Sequence, residues 1–165
     1  MLSIINDAIV GSTAVWDYEP RPIERMREWL DARQTNGYPV YGAVDEDGTL
    51  LGFASYGAFR PWPGYKYTVE HSVFVHRGAR RRGIGERLLR RLIATAQEQQ
   101  YHVLVGAIDG ANTASIALHE KLGFVRAGEI KEAGYKHRAW LDVVFYQLTL
   151  PTPEHPIEGS AARSP

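Results

Sequence analysis

Residues 73–89 read VFVHRGARRRGIGERLL: a β-branched run, a basic turn holding glycines and the start of an amphipathic run follow one another without a gap. No other stretch restricts the fold so strongly, because a strand-to-helix joint is written here in consecutive residues. Upstream, GYKYTVEHSVFV alternates with period two. That places Thr68, Glu70, Ser72 and Phe74 on one face and Val69, His71, Val73 and Val75 on the other. Downstream, Ile84, Leu88, Leu89, Leu92, Ile93 and Ala96 recur at helical spacing and predict a helix to about Gln99.

The remaining segments arrange themselves around that joint. LSIINDAIV spaces Leu2, Ile5 and Ile9 as one face of a short helix, and Pro22 opens a second helix with the stripe Ile23, Met26, Trp29 and Leu30. PVYGAVDEDGTLLGFASYGAF reads as two strands turned at residues 45–48. HVLVGAI is a short strand, and NTASIALHEKLGF a helix with Asn112 as its cap and Gly123 as its stop. WLDVVFYQLTL closes the chain as a strand. The expected class is α/β of the α+β kind, a mixed central sheet flanked by helices, in a single domain over residues 1–150. The early hairpin argues against a wholly parallel sheet. Residues 151–165, with Pro, Ser, Glu and Gly, read as a disordered tail.

Composition removes several classes of function. Lysine plus arginine and aspartate plus glutamate balance at 19 each, which argues against a nucleic-acid or membrane-surface protein and makes the arginine cluster a local feature. The absence of cysteine excludes a disulfide scaffold, a thiolate metal site and a thiol nucleophile. No apolar stretch has membrane-spanning length and the start lacks the order of a signal peptide, so a cytoplasmic location is expected. The histidines show no metal-ligand spacing, HEKLG is not H-E-x-x-H, and no metal is expected.

The glycine turn reads as a phosphate cradle. A helix starting near Gly83 presents unpaired N–H groups from the positive end of its dipole, and Gly83 and Gly85 let a ligand approach the backbone of Ile84. Arg80, Arg81 and Arg82 add attraction for a pyrophosphate. A dinucleotide fingerprint would need glycine where Leu88 stands, and a P-loop would need Gly-Lys-Ser/Thr, which is absent. What remains is R-x-x-G-x-G between a strand and an amphipathic helix. Plain turn chemistry is the other reading of these residues.

That pattern resembles the acyl-CoA pyrophosphate loop of the GNAT superfamily of N-acetyltransferases. TVEHSVFV, GAIDGANTASIALHEKLGF, GYKHRAWLDVVFYQL and IVGSTAVWDYEP are similar to segments of its phosphinothricin and methionine-sulfoximine acetyltransferase branch, in continuous order over residues 4–150. The resemblance implies the GNAT acyltransferase fold, acetyl-CoA as cosubstrate, a small-molecule amine (an amino acid) as acceptor, direct attack in a ternary complex, and a homodimer. One departure stands out. Members of this family usually begin with a strand carrying an Ile-Arg-x-Ala type motif, whereas this sequence opens in the helix after it, so either the sheet lacks the usual first strand or the start of the sequence is placed late.

Chemistry needs a base, because an amine at neutral pH is mostly protonated. Glu70 is the candidate: a mid-strand carboxylate is costly unless used or paired, and the matching glutamate is the proposed base in the resembled branch. A structural ion pair is its alternative. Val73, Phe74 and Val75 are expected to bind the pantetheine arm through their backbone, like an added strand. Where many members of the family carry a tyrosine as the acid for the leaving thiolate, this chain has His119, which serves as that acid or as a packed, hydrogen-bonded histidine. Asn112 resembles a cofactor contact and Ser115 is a further candidate. On the acceptor side the expected set is Arg60, Pro61, Trp62, Glu70, His71 and Ser72, with Arg60 pairing a substrate carboxylate.

Three other readings compete. The same fold can serve an aminoglycoside, a polyamine or a protein N-terminus. A non-catalytic CoA-binding sensor keeps the cradle without the chemistry. A nucleotide- or RNA-binding module using residues 77–91 is opposed by the neutral charge and by the lack of an RNA-binding aromatic motif.

Overall fold

The computed structural model describes residues 1–159. Two helices, α1 (Leu2–Gly11) and α2 (Ile23–Thr35), precede the hairpin of β1 (Val40–Val44) and β2 (Leu50–Ala58). Then come β3 (Thr68–Val75), α3 (Ile84–Glu98), β4 (Val103–Asp109), α4 (Thr113–Lys121), β5 (Val125–Lys136) and β6 (Ala139–Thr149). The six strands form one mixed sheet in the order β1-β2-β3-β4-β6-β5, in which only β3 and β4 run parallel. α3 is the crossover that a parallel pair requires. Among the described residues no strand precedes α1, and no helix is long and apolar enough to cross a membrane.

Each face of the sheet has its own core. Ile84, Leu88, Leu89, Leu92 and Ala96 line one stripe of α3 and bury against Ala54, Tyr56, Val69, Leu104 and Tyr146. Ile4, Ile5 and Ile9 of α1 and Met26 of α2 cover Phe53 on the opposite face, joined there by Phe74 and Trp29. β3 is shared by both layers. Its even-numbered residues face α1 and α2 and its odd-numbered ones face α3 and α4, which is the alternation read from the sequence. The turn at residues 45–48 also forms as expected: Asp45 Oδ1 accepts from the Asp47 and Thr49 amides, and Gly48 takes φ +79°.

β5 is an element that the sequence pattern does not announce. It is exposed along most of its length and carries Arg126, Glu129, Lys131 and Glu132, so the apolar alternation that signals a strand is missing. Two register shifts interrupt its pairing with β6. The connecting turn also lacks the usual Asn-Gly signal. His137 and Arg138 occupy left-handed conformations at φ +51° and +63°, as a two-residue turn matched to strand twist demands. Ion pairs of Arg126 with Glu129 and of Lys131 with Glu129 and Asp142 dress the edge.

The β5–β6 hairpin reaches over to hold the segment between α1 and α2. Lys136, 4% exposed, donates from Nζ to the carbonyls of Ile9, Ser12 and Val15, joining the last turn of α1 to the segment that follows it around one ammonium. Trp16 lies against Gly134, where a Cβ would fall 2.5 Å from its ring. Beyond the sheet, residues 151–159 form no helix or strand, but hydrogen bonds tie them to the body. Thr152 Oγ1 donates to Tyr101 O at 2.6 Å, and Lys66 Nζ donates to Gly159 O at 2.9 Å. The rest of the expected tail, 160–165, lies outside the described residues.

Replacing Lys136 by Met keeps the length of the side chain but leaves three carbonyls without their donor. The expected cost is about 1–3 kcal/mol. Thermal denaturation should register a melting point several degrees lower; an unchanged one would remove the ammonium from this role.

Candidate active site

β3 and β4 pair over three positions only: Thr68 with Val103, Val69 with Leu104 and Glu70 with Val105. Beyond them β3 stays bonded to β2 as far as Val75, and β4 to β6 as far as Asp109. The facing edges of the two strands therefore part at Glu70 and leave an open split. The backbone of Val73, Phe74 and Val75 borders it with no strand partner on that side. Hydrogen-bonding groups left along such an edge are suited to an extended ligand.

The glycine turn closes the wide end of the split. Gly83 stands at the N-cap of α3 with φ +74°, a left-handed conformation that favours glycine, and Arg81 takes φ +62° just before it. No side chain caps α3, so the N–H groups of its first turn remain for a ligand. Ile84 contributes backbone alone, since its side chain is buried in the core. Gly85 is less open than the sequence suggests, because a Cβ there would touch Leu118, Val75 and Val73 at 3.5–4.0 Å. Arg80, Arg81 and Arg82 are exposed, with no ion pair among the described residues.

Glu70 sits at the closed end, on the face turned towards α1 and α2. Its side chain keeps 37% exposure, and Arg60 Nη1 lies 3.8 Å from Oε2. Burial raises the carboxyl above the usual range, and the Arg60 charge pulls it partly back. Arg60 also donates to its neighbouring Phe59 carbonyl and stacks on the Phe59 ring. Trp62 is 63% exposed in the same loop, next to Pro61 and close to Tyr65. Ser72 keeps the Glu70 face, opposite Ser55 of β2. The structure thus brings Arg60 to Glu70 and leaves Pro61 and Trp62 on the loop rim.

His71 departs from the expected acceptor set. Being odd-numbered, it turns to the α3–α4 face, where it is 7% exposed and its Nε2 lies 2.9 Å from Nε2 of His119. His119, 5% exposed, also donates from Nδ1 to the Ser115 carbonyl at 2.7 Å. Both nitrogens of His119 are therefore engaged in hydrogen bonds, as in the packed, hydrogen-bonded alternative. Burial, reinforced by the neighbouring His119 and opposed by the Val105 backbone, holds His71 down to about 3. That backbone lies short of a proper hydrogen bond to Nδ1. Burial lowers His119 as well, against the Ser115 carbonyl. Asn112 caps α4 by accepting from the Ser115 amide at 3.1 Å, so its Oδ1 is in use.

Two contacts were not legible in the sequence. The histidine pair joins residues 48 positions apart. Thr13, in the segment after α1, donates to Asp109 at the end of β4. No motif links either couple; the sheet and α4 bring them together.

A mixed sheet split at its one parallel pair, with an uncapped glycine-led helix at the opening, defines an acyltransferase of the GNAT type. Residues 6–124 match the Acetyltransferase (GNAT) family, and the chain belongs to it. It is 45% identical over 150 residues, 91% of this chain and 87% of the relative, to an L-methionine sulfoximine/L-methionine sulfone acetyltransferase of Pseudomonas aeruginosa. It is 34% identical over 158 residues (93% and 84%) to a phosphinothricin N-acetyltransferase of Streptomyces viridochromogenes. The crystal structure of a phosphinothricin acetyltransferase from Sinorhizobium meliloti in complex with acetyl-CoA superposes with a TM-score of 0.91 at 32% identity, covering 96% of this chain and 86% of that one.

The two buried histidines make a stability prediction. Both folded values lie below the unfolded value of about 6.5, that of His71 at about 3, so as the pH falls below about 6.5 the unfolded chain binds more protons. Their contribution is complete above about 6.5 and is lost as the pH falls. Glu70 has the opposite sign, losing stabilisation as the pH rises through its raised folded value. Urea unfolding at stepped pH should show stability falling from pH 7 to pH 4, with a shallower slope in His71→Phe.

Proposed function

We propose that this chain is an acetyl-CoA-dependent N-acetyltransferase acting on the α-amine of small amino acids, with methionine sulfoximine, methionine sulfone and phosphinothricin as acceptors. The observation that carries the reading is the Glu70 carboxylate at the closed end of the β3–β4 split with Arg60 at 3.8 Å. The relatives named for these acceptors support the choice of substrate.

Acetyl-CoA fits the residues around the split. The first-turn N–H groups of Gly83, Ile84 and Gly85 serve its pyrophosphate, with Arg80, Arg81 and Arg82 supplying long-range attraction. The free edge of Val73, Phe74 and Val75 serves the pantetheine arm, and one of its N–H groups polarises the thioester carbonyl. Asn112 and Ser115 border the same opening from α4, and the amide NH2 of Asn112 is the group its cap leaves over.

Arg60 pairs with the acceptor carboxylate, and Glu70 accepts a proton from the acceptor ammonium. The two events are coupled. As Arg60 turns to the substrate its pull on Glu70 weakens, and the carboxylate becomes more basic as the amine arrives. The neutral nitrogen forms its bond to the acetyl carbon while the carbon–sulfur bond breaks. The nitrogen gives up two protons in becoming the amide: the first leaves by way of Glu70, and the second, released as the carbon–sulfur bond breaks, balances the one that the thiolate takes from solvent. A cytoplasmic location suits acetyl-CoA as donor. A homodimer suits the exposed Val125, Ile130, Tyr135 and Trp140 of the β5–β6 hairpin.

Glu70→Gln should bind acetyl-CoA normally yet turn over about 10²–10⁴ times more slowly. Thiol release measured with each of the three acceptors tests this, and near-normal turnover would reassign the base. In the same assay Arg60→Ala should raise KM for the amino acid more than for acetyl-CoA. It should also move the acidic limb of the pH profile upward, since the attraction lowering Glu70 is gone. Gly83→Asp should weaken acetyl-CoA binding through strain and charge.

A further inference from the structure

His71 and His119 meet at a particular place. The first residues past the paired part of β3 and β4 are His71 and Gly106, so the imidazole pair lies at the point where the strands part. Gly106 has no side chain there, and a Cβ would fall 3.0 Å from His119 Nε2 and 3.1 Å from His71 Cε1. The ring centres are 5.1 Å apart and the planes 23° apart, while the nitrogens are 2.9 Å apart. The rings therefore meet edge to edge, in line for an N–H···N bond. Phe124 packs against both rings.

The protonation pattern follows from the acceptors. A carbonyl only accepts, so His119 Nδ1 carries the proton given to Ser115, and its Nε2 is a bare lone pair in the neutral ring. His71 Nε2 must then be the donor. The result is a directed chain from β3 through His71 and His119 to the first turn of α4, passing beneath β4. Two other titratable groups lie on this side: Tyr146, whose ring centre is 6.3 Å from that of His119, and Glu120, which accepts the Tyr146 hydroxyl at 2.9 Å. Neither competes for the imidazole nitrogens.

We infer that His71 is a positioning residue for the donor half of the reaction. By donating to His119 it fixes the first turn of α4, with Asn112 and Ser115, against the free edge of β3 at Val73, Phe74 and Val75. These are the two walls between which the acyl donor is proposed to lie, so the inference rests on the function proposed above. The acceptor side, at Glu70 and Arg60, faces the other way and does not depend on this link.

The test is a split in kinetic constants. His71→Phe keeps the ring volume and removes the donor. We expect KM for acetyl-CoA to rise about tenfold, the loss of one buried hydrogen bond, with KM for methionine sulfone unchanged. His71→Gln, which retains an N–H donor, should recover part of the loss. Gly106→Ala pushes on the same pair from β4 and should reproduce the split, which provides a second probe should His71→Phe not fold. Nitrogen-15 shifts of the histidine rings should show a protonated Nδ1 on His119 in the parent protein. Equal changes in both KM values, or altered stability with unaltered kinetics, would reduce His71 to a packing residue. Failure of the parent protein to bind acetyl-CoA would instead overturn the proposed function itself.

Discussion

The brevity of the β3–β4 pairing governs everything else in this molecule. Parallel strands joined by a helical crossover normally zip along their whole length, yet here three residue pairs form and the strands then part. Antiparallel partners on the outer sides keep both strands straight, so the split is held by the rest of the sheet. An unpaired backbone edge inside a folded sheet is costly unless something uses it. In an acetyltransferase of this family, the opening supplies hydrogen-bonding groups on one side and the uncapped start of α3 on the other.

The period-two alternation of β3 then separates the tasks. Glu70 and His71 are neighbours in sequence, but one faces α1 and α2 and the other faces α3 and α4. A partly exposed carboxylate beside an arginine suits proton transfer with a substrate arriving from solvent. A buried imidazole pair bonded nitrogen to nitrogen suits a link between elements. Burial disfavours the charged form of both, raising the Glu70 carboxyl and lowering the His71 imidazole, but only Glu70 has an opposite charge, Arg60, beside it.

The segment between α1 and α2 has no regular structure of its own. Its position comes from contacts made far along the chain. Lys136 joins the Ile9 carbonyl of α1 to the Ser12 and Val15 carbonyls of the segment, Trp16 packs on the strand at Gly134, and Thr13 reaches Asp109. The late hairpin β5–β6 thus fixes the position of that segment although it contributes no proposed catalytic group.

What the sequence by itself determined is local and periodic. The strand-to-helix joint, the core stripe of α3, the Asp45 turn and the Asn112 cap each arise from a few consecutive residues whose conformational preferences agree. The family resemblance rests on the same kind of contiguous motif. Tertiary structure decided the rest. β5 escaped notice because an exposed, charged edge strand has no apolar period, and its turn takes left-handed residues without glycine. His71 and His119 were visible as separate residues, but their bond depends on α4 lying beneath β3, which no short-range pattern encodes. The role of Lys136 was equally hidden: a lysine in a strand reads as surface until three distant carbonyls close around its ammonium, since only the assembled fold can exclude the water that would otherwise solvate it.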